Sequence, residues 1–143
     1  MKQQEFADRR KELMAMAGNG SIIIQPSSQE HVRNRDVYYP YRPDSDFHFL
    51  TGFGEPMSVV VLIPGRPQGE FILFCREKDQ DAEIWHGRRS GLEGACAVYG
   101  ADDAFPIEDL DEILPGLLEN KDRIYYTMGR YVDFDQRVIG WLN

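Results

Sequence analysis

Two short runs of this chain bring chemistry-bearing side chains together. The first holds Asp44, Asp46 and His48, spaced two apart in DSDFHFLT. Read as strand residues, they project from one face at steps of about 7 Å. Two carboxylates and an imidazole in that arrangement suit a divalent metal ion. The competing reading has Asp44 capping the turn after Pro43 and the other two facing solvent. The second run is DAEIWHGRR, with Trp85, Arg88 and Arg89. Arginine offers a planar fork to carboxylates, including the carboxy end of a peptide, and tryptophan and arginine are enriched at binding hot spots. The competing reading packs the tryptophan in the core and pairs the arginines with nearby acids. His31, His48 and His86 are the chain's three histidines, and their spacing matches no metal motif. No serine sits in a GxSxG context. Gly52-Phe53-Gly54 is a fragment of a dinucleotide fingerprint, but Glu55-Pro56 follows it where a helix-opening glycine is needed.

The elements that must position these residues follow from periodicity. Tyr38, Tyr39 and Tyr41 surround Pro40, so the backbone entering the first run is stiff and extended. The pattern then reads as a period of two, with Asp46, His48 and Leu50 on one side and Phe47, Phe49 and Thr51 on the other, which predicts a strand, ended by Gly52, Gly54 and Pro56. Upstream, Gln3–Ala17 predicts a helix with Phe6, Leu13 and Ala17 on one face and Arg9, Arg10 and Lys11 largely opposite. Gly18-Asn19-Gly20 stops it. Ser21 to Gln25, SIIIQ, predicts a buried central strand. The polar stretch from Ser27 to Asp36 reads as a loop or, with Ser27 and Glu30 as a capping box, as one helical turn. Met57–Ile63 and Glu70–Cys75 read as two strands of a hairpin. Asp81–Trp85 is a short segment. Gly91–Tyr99 predicts a small-residue-rich helix. Ile107–Leu118 predicts a helix with Ile107, Leu110, Leu114, Leu117 and Leu118 as its stripe, kinked or broken at Pro115. Arg123–Thr127 predicts a strand and Tyr131–Asn143 a final helix. The hairpin requires an antiparallel pair, so the expected fold is α/β, a mixed sheet with helices on its faces.

Composition narrows the function. A chain of 143 residues is one domain. Its net charge of −8 argues against nucleic acid or an anionic membrane as partner, since both need clustered positive charge. No apolar run approaches the roughly 20 residues that span a bilayer, and the charged, helix-like first residues do not read as a signal peptide. The last helix has no glycine or proline stop before Asn143, as in a chain that continues into a further domain. Cys75 and Cys96 are the two cysteines and form no CxxC pair. They read as reduced, buried thiols of a cytoplasmic protein, with a structural disulfide as the alternative.

The run YPYRPDSDFHFLTGFGEP closely resembles the signature of the amino-terminal domain of aminopeptidase P, the Xaa-Pro aminopeptidase of the creatinase and prolidase superfamily. DAEIWHGRR is a second matching block, and the resemblance covers essentially the whole chain, residues 1–143. It implies a ribonuclease-H-like motif with a mixed sheet of about six strands layered with helices. It also implies that the catalytic domain, with two divalent ions (manganese) and their ligands, is absent from this chain. The domain by itself is then inactive. Its roles would be oligomerisation, shielding the active site and selecting short proline-containing peptides, with its own catalytic domain and neighbouring subunits as partners. The tryptophan matching Trp85 is thought to line a neighbouring subunit's site, with Arg88 and Arg89 beside it. Asp36, Tyr39 and Arg42 are further candidates for that wall. Aromatic rings suit proline, whose flat ring packs on them and whose missing N–H excludes strand-like docking. His86 departs from the aromatic residue expected at its position. The alternative is a non-catalytic binding module such as the one in the large subunit of the FACT histone chaperone, where an acidic surface suits basic partners. The intact YPYR and IWHGRR runs argue for the peptidase branch.

Overall fold

Ile22, Ile24, Val59, Val61, Ile72 and Phe74 point to one side of a sheet, and Ile23, Val60, Leu62, Leu73 and Cys75 to the other. Both sides are buried, which explains why these strands read as continuous apolar runs. In a computed structural model of the chain, residues 3–27, 44–86 and 88–142 are described, the side chains of Trp85 and His86 excepted. Five strands occur among them: β1 (Ser21–Pro26), β2 (Val59–Leu62), β3 (Phe71–Cys75), β4 (Asp103–Pro106) and β5 (Arg123–Tyr125). Their order is β4-β3-β2-β1-β5. The β1–β2 and β2–β3 pairs are antiparallel, and the β1–β5 and β3–β4 pairs are parallel. The α/β mixed sheet and its hairpin are therefore as expected.

Helices cover both faces. From α1 (Gln3–Ala17), α2 (Ser45–Thr51) and α4 (Gly91–Ala97) come Met14, Ala17, Phe47, Leu50 and Ala95, which pack on one side. From α5 (Leu110–Leu118) and α6 (Val132–Leu142) come Leu110, Leu114, Phe134 and Val138, which pack on the other. The remaining helix is α3 (Gln80–His86), whose Ile84 is exposed.

Several expectations are corrected. Asp44 to Thr51 is not a strand face. Asp44 is the N-cap of α2, with extended backbone and Oδ1 accepting the Phe47 N–H at 3.0 Å. Phe47, Leu50 and Thr51 then bury at helical spacing. A strand would put Phe47 and Leu50 on opposite faces, whereas here both are buried and Phe49 is exposed, and the cap starts the helix. Arg10 does not lie opposite the buried face of α1. It is 6% exposed, and its guanidinium lies 3.9 Å from the Phe71 ring centroid. Helix α5 starts after a 3-10 turn at Ile107–Asp109 and continues through Pro115 without a break. Full burial of Leu110 and Leu114 holds the helix on the sheet despite the missing proline N–H. Strand β4 was not anticipated: all four of its positions are half-buried, so it shows no alternation. The stretch from residue 28 to 43, with its possible capping turn and aromatic arm, lies outside the described residues.

Candidate functional site

Helix α3 begins where Asp79 Oδ1 accepts the N–H groups of Asp81 and Ala82 at 3.1 and 3.3 Å, an N-cap pattern. Its exit is fixed by two carboxylates. Glu83 Oε1 accepts the Arg89 N–H at 2.9 Å, and Glu55 Oε2 accepts the next N–H, that of Ser90, at 2.8 Å. The Arg89 N–H is the main cause that holds the Glu83 carboxyl below its ordinary range, with Lys78 adding to it. Glu55 also pairs with Arg76 at 3.7 Å, and both side chains are largely buried. A depression of about 530 Å³ lies alongside, between Glu77 and Lys78 and the first turns of α4.

The structure separates the two arginines. Arg89 is half-buried and donates from Nη1 to the Glu77 carbonyl at 3.1 Å. Arg88 is exposed and has no hydrogen-bond or ion-pair partner among the described residues. Trp85 is placed on α3 by its backbone, in the turn that also carries Ile84, 75% exposed. Asp36, Tyr39 and Arg42 lie outside the described residues. Sequence reasoning missed Glu55 and Glu83. Glu83 stands inside the DAEIWHGRR block, but nothing in sequence signals that Glu55 reaches a residue 35 positions away.

The other chemistry-bearing run becomes something different. Asp44 Oδ2 accepts from Arg130 Nη1 at 3.0 Å and from the Tyr131 hydroxyl, and Oδ1 accepts from Gln25 Nε2 at 3.2 Å. Asp46 accepts from Arg130 at 2.9 Å. His48 is exposed and meets the Phe6 ring edge-on, with ring centroids 5.9 Å apart. Asp44 is the cap of the competing reading, while Asp46 faces solvent but is paired. Among the described residues no group of three His, Cys, Asp or Glu side chains is placed to hold a metal ion. Asp44 and Asp46 are instead paired with Arg130. Cys75 is buried, Cys96 is half-buried, and both are free thiols rather than a disulfide. No helix among the described residues is long and apolar enough to cross a membrane.

Comparison with known proteins agrees with this fold. The family model described as aminopeptidase P, N-terminal domain, matches residues 6–125. The Xaa-Pro aminopeptidase of Escherichia coli (strain K12) is 38% identical over 133 residues, covering 92% of this chain and 30% of that protein. The solved structure of Pseudomonas aeruginosa aminopeptidase PepP is 55% identical with a TM-score of 0.96, over 100% of this chain and 32% of that one. A zinc-substituted E. coli aminopeptidase P in complex with product is 37% identical with a TM-score of 0.92, over 99% of this chain and 32% of that one. The chain thus spans about a third of the length of these relatives. The matches favour the peptidase branch over the histone-chaperone one. On the family match and these likenesses together, the chain belongs to the aminopeptidase P N-terminal domain family.

Proposed function

We propose that this chain acts as the non-catalytic amino-terminal domain of a metal-dependent Xaa-Pro aminopeptidase, a cytoplasmic enzyme that removes an amino-terminal residue preceding proline. The observation that carries the reading is the 55% identity to P. aeruginosa aminopeptidase PepP across the whole of this chain. The part of the relatives beyond the match is about twice as long as this chain. In this reading that part holds the two divalent ions, manganese, which activate a water and polarise the scissile carbonyl. This domain's own residues do other work. Trp85, Arg88 and Arg89, with Asp36, Tyr39 and Arg42, form a wall of the substrate site, and the domain takes part in oligomerisation. Between the arginines, the exposed Arg88 suits the carboxylate of a short peptide, because Arg89 is already held by Glu77.

The test uses the full-length gene product. Peptides with proline at the second position are expected to lose their first residue, and matched peptides with alanine there are not. Chelation is expected to abolish release and manganese to restore it, while the 143-residue chain alone releases nothing. Absence of cleavage before proline by the manganese-loaded full-length protein overturns the reading.

A further inference from the structure

We propose that Asn19 is a site of covalent modification: the Asn19–Gly20 step closes to a succinimide, and Arg123 directs its opening to isoaspartate. Asparagine is among the thermolabile residues, and its lability depends on the residue that follows it. Asn19 precedes a glycine, whereas Asn34 and Asn120 precede Arg35 and Lys121. Glycine has no Cβ to shield its N–H. The structure leaves both reacting groups uncommitted. Asn19 is exposed in the turn between α1 and β1. Neither its side-chain amide nor the Gly20 N–H has a hydrogen-bond partner among the described residues. A surface depression of about 400 Å³, bordered by Asn19, Gly20, Gly65 and Lys121, brings water to the turn.

The reaction balances with water alone. Solvent hydroxide takes the Gly20 amide proton, and the nitrogen attacks Asn19 Cγ. The Cγ–Nδ2 bond breaks, and Nδ2 takes a proton from water and leaves as ammonia. Water then opens the ring. Attack at the former main-chain carbonyl carbon leaves a carboxylate there, and the chain runs on through Cγ as isoaspartate. One water is consumed, one ammonia is released, and nothing is oxidised or reduced. The fold favours this direction of opening. Arg123 Nη2 donates to the Asn19 carbonyl at 3.3 Å and to the Ala17 carbonyl at 3.2 Å. The guanidinium steadies the oxyanion that forms as water adds to that carbonyl, and then pairs with the carboxylate left behind. The product disturbs the sheet. The Gly20 carbonyl accepts the Asp122 and Arg123 N–H groups at 2.7 and 3.4 Å, where β1 and β5 begin to pair. An extra backbone carbon just before Gly20 displaces these contacts.

The experiment ages the full-length gene product in mildly alkaline buffer, natively and in urea. Tryptic mapping of the peptide spanning residues 12–33 with electron-based fragmentation separates isoaspartate from aspartate. Natively, Asn19 is expected to lose its amide within about tenfold of the rate in the unfolded chain, since a surface turn opens at little cost. Asn120 is expected to keep its amide over the same period. The share of isoaspartate is expected to be higher in the native protein than in urea, and Arg123→Met is expected to return it to the urea value while ammonia release continues. The aged protein is expected to melt below the fresh one, and Asn19→Ser, which has no amide to close the ring, to show no such drift. An Asn19 amide that persists natively while the unfolded chain loses it overturns the proposal. So does an isoaspartate share that is the same in native and unfolded chains, a comparison that needs no variant to fold.

Discussion

Arg130 Nη1 donates to Asp44 Oδ2 at 3.0 Å, joining two residues 86 positions apart. The same carboxylate group caps α2 and accepts from Gln25 and the Tyr131 hydroxyl. It therefore pins the end of β1, the start of α2 and the segment entering α6 at one point. The Asp44 side chain is 3% exposed and that of Arg130 is 40% exposed, so the bond is sheltered on one side only.

Asp44→Ala removes a helix cap, taking the side-chain acceptor from the Phe47 N–H, and breaks the bonds to Arg130 and the half-buried Tyr131 hydroxyl. We expect a loss of about 3 kcal/mol in unfolding free energy. Asp46→Ala, which breaks only the solvent-facing bond to Arg130, is expected to change stability by less than about 0.5 kcal/mol. Urea unfolding of both variants measures the contrast. Equal effects would contradict the placement of Asp44.

The same cluster sets an acid limit. Burial pushes the Asp44 carboxyl upward, but the bonds from the Tyr131 hydroxyl, the Phe47 N–H and Arg130 outweigh it and hold the group below its ordinary 3.8. A depressed carboxyl contributes stability that is fully present above the unfolded value and is lost as pH falls through the folded one. Unfolding midpoints followed downward from pH 6 are expected to hold for this group until about pH 4, and then to drop more steeply than in Asp44→Asn. Parallel curves for the two proteins would remove Asp44 as the cause.

Arg10 donates from Nη1 to the Leu50 carbonyl at 2.9 Å and stacks on Phe71. Arg10→Met keeps most of the apolar stem but leaves the carbonyl unpaired and loses the cation–ring contact. A loss of about 2 kcal/mol is expected. Arg10→Lys should recover only part of it, since an ammonium cannot both stack flat and reach the carbonyl. Denaturant unfolding of the pair decides.

Gly52 closes α2 with φ of 69°, and a Cβ there would sit 2.6 Å from Phe6 Cε2. Gly52→Ala adds left-handed strain and a clash with a buried ring between α1 and α2. Together these are expected to lower stability by about 2–3 kcal/mol, read as a depressed thermal midpoint. A neutral substitution would mean that α1 and α2 pack less closely than described.

Burial pushes the Cys75 thiol up to about 12 and raises that of Cys96 as well. The thiolate is the reactive form. In the native protein at pH 8, a thiol reagent is therefore expected to label Cys96 slowly and Cys75 not at all, and to label both on denaturation. Mass analysis of the labelled chain checks this, and fast labelling of Cys75 would contradict its burial.

The sequence by itself determined those elements whose signal is local. Gln3–Ala17 carries a helical face and a glycine stop. SIIIQ and the two apolar runs of the hairpin are long enough in β-branched residues to declare buried strands, and YPYR with IWHGRR sufficed to place the chain in its family. Tertiary structure decided the rest. Asp44 to Thr51 is too short for its spacing to choose between a strand pairing Phe47 with Phe49 and a helix pairing Phe47 with Leu50, and the bond from the Phe47 N–H to Asp44, with burial of Phe47 and Leu50, makes it a helix. Arg10 lies inside because the Leu50 carbonyl and the Phe71 ring meet it there. Neither partner is near it in sequence. The same holds for the candidate site. The block containing Trp85 was legible, but the chain just after α3 is bound by Glu55, 35 residues before the Ser90 amide whose N–H it accepts. A carboxylate and a backbone N–H leave no pattern in composition or spacing, so contacts between distant polar groups exist only once the sheet has brought their elements together.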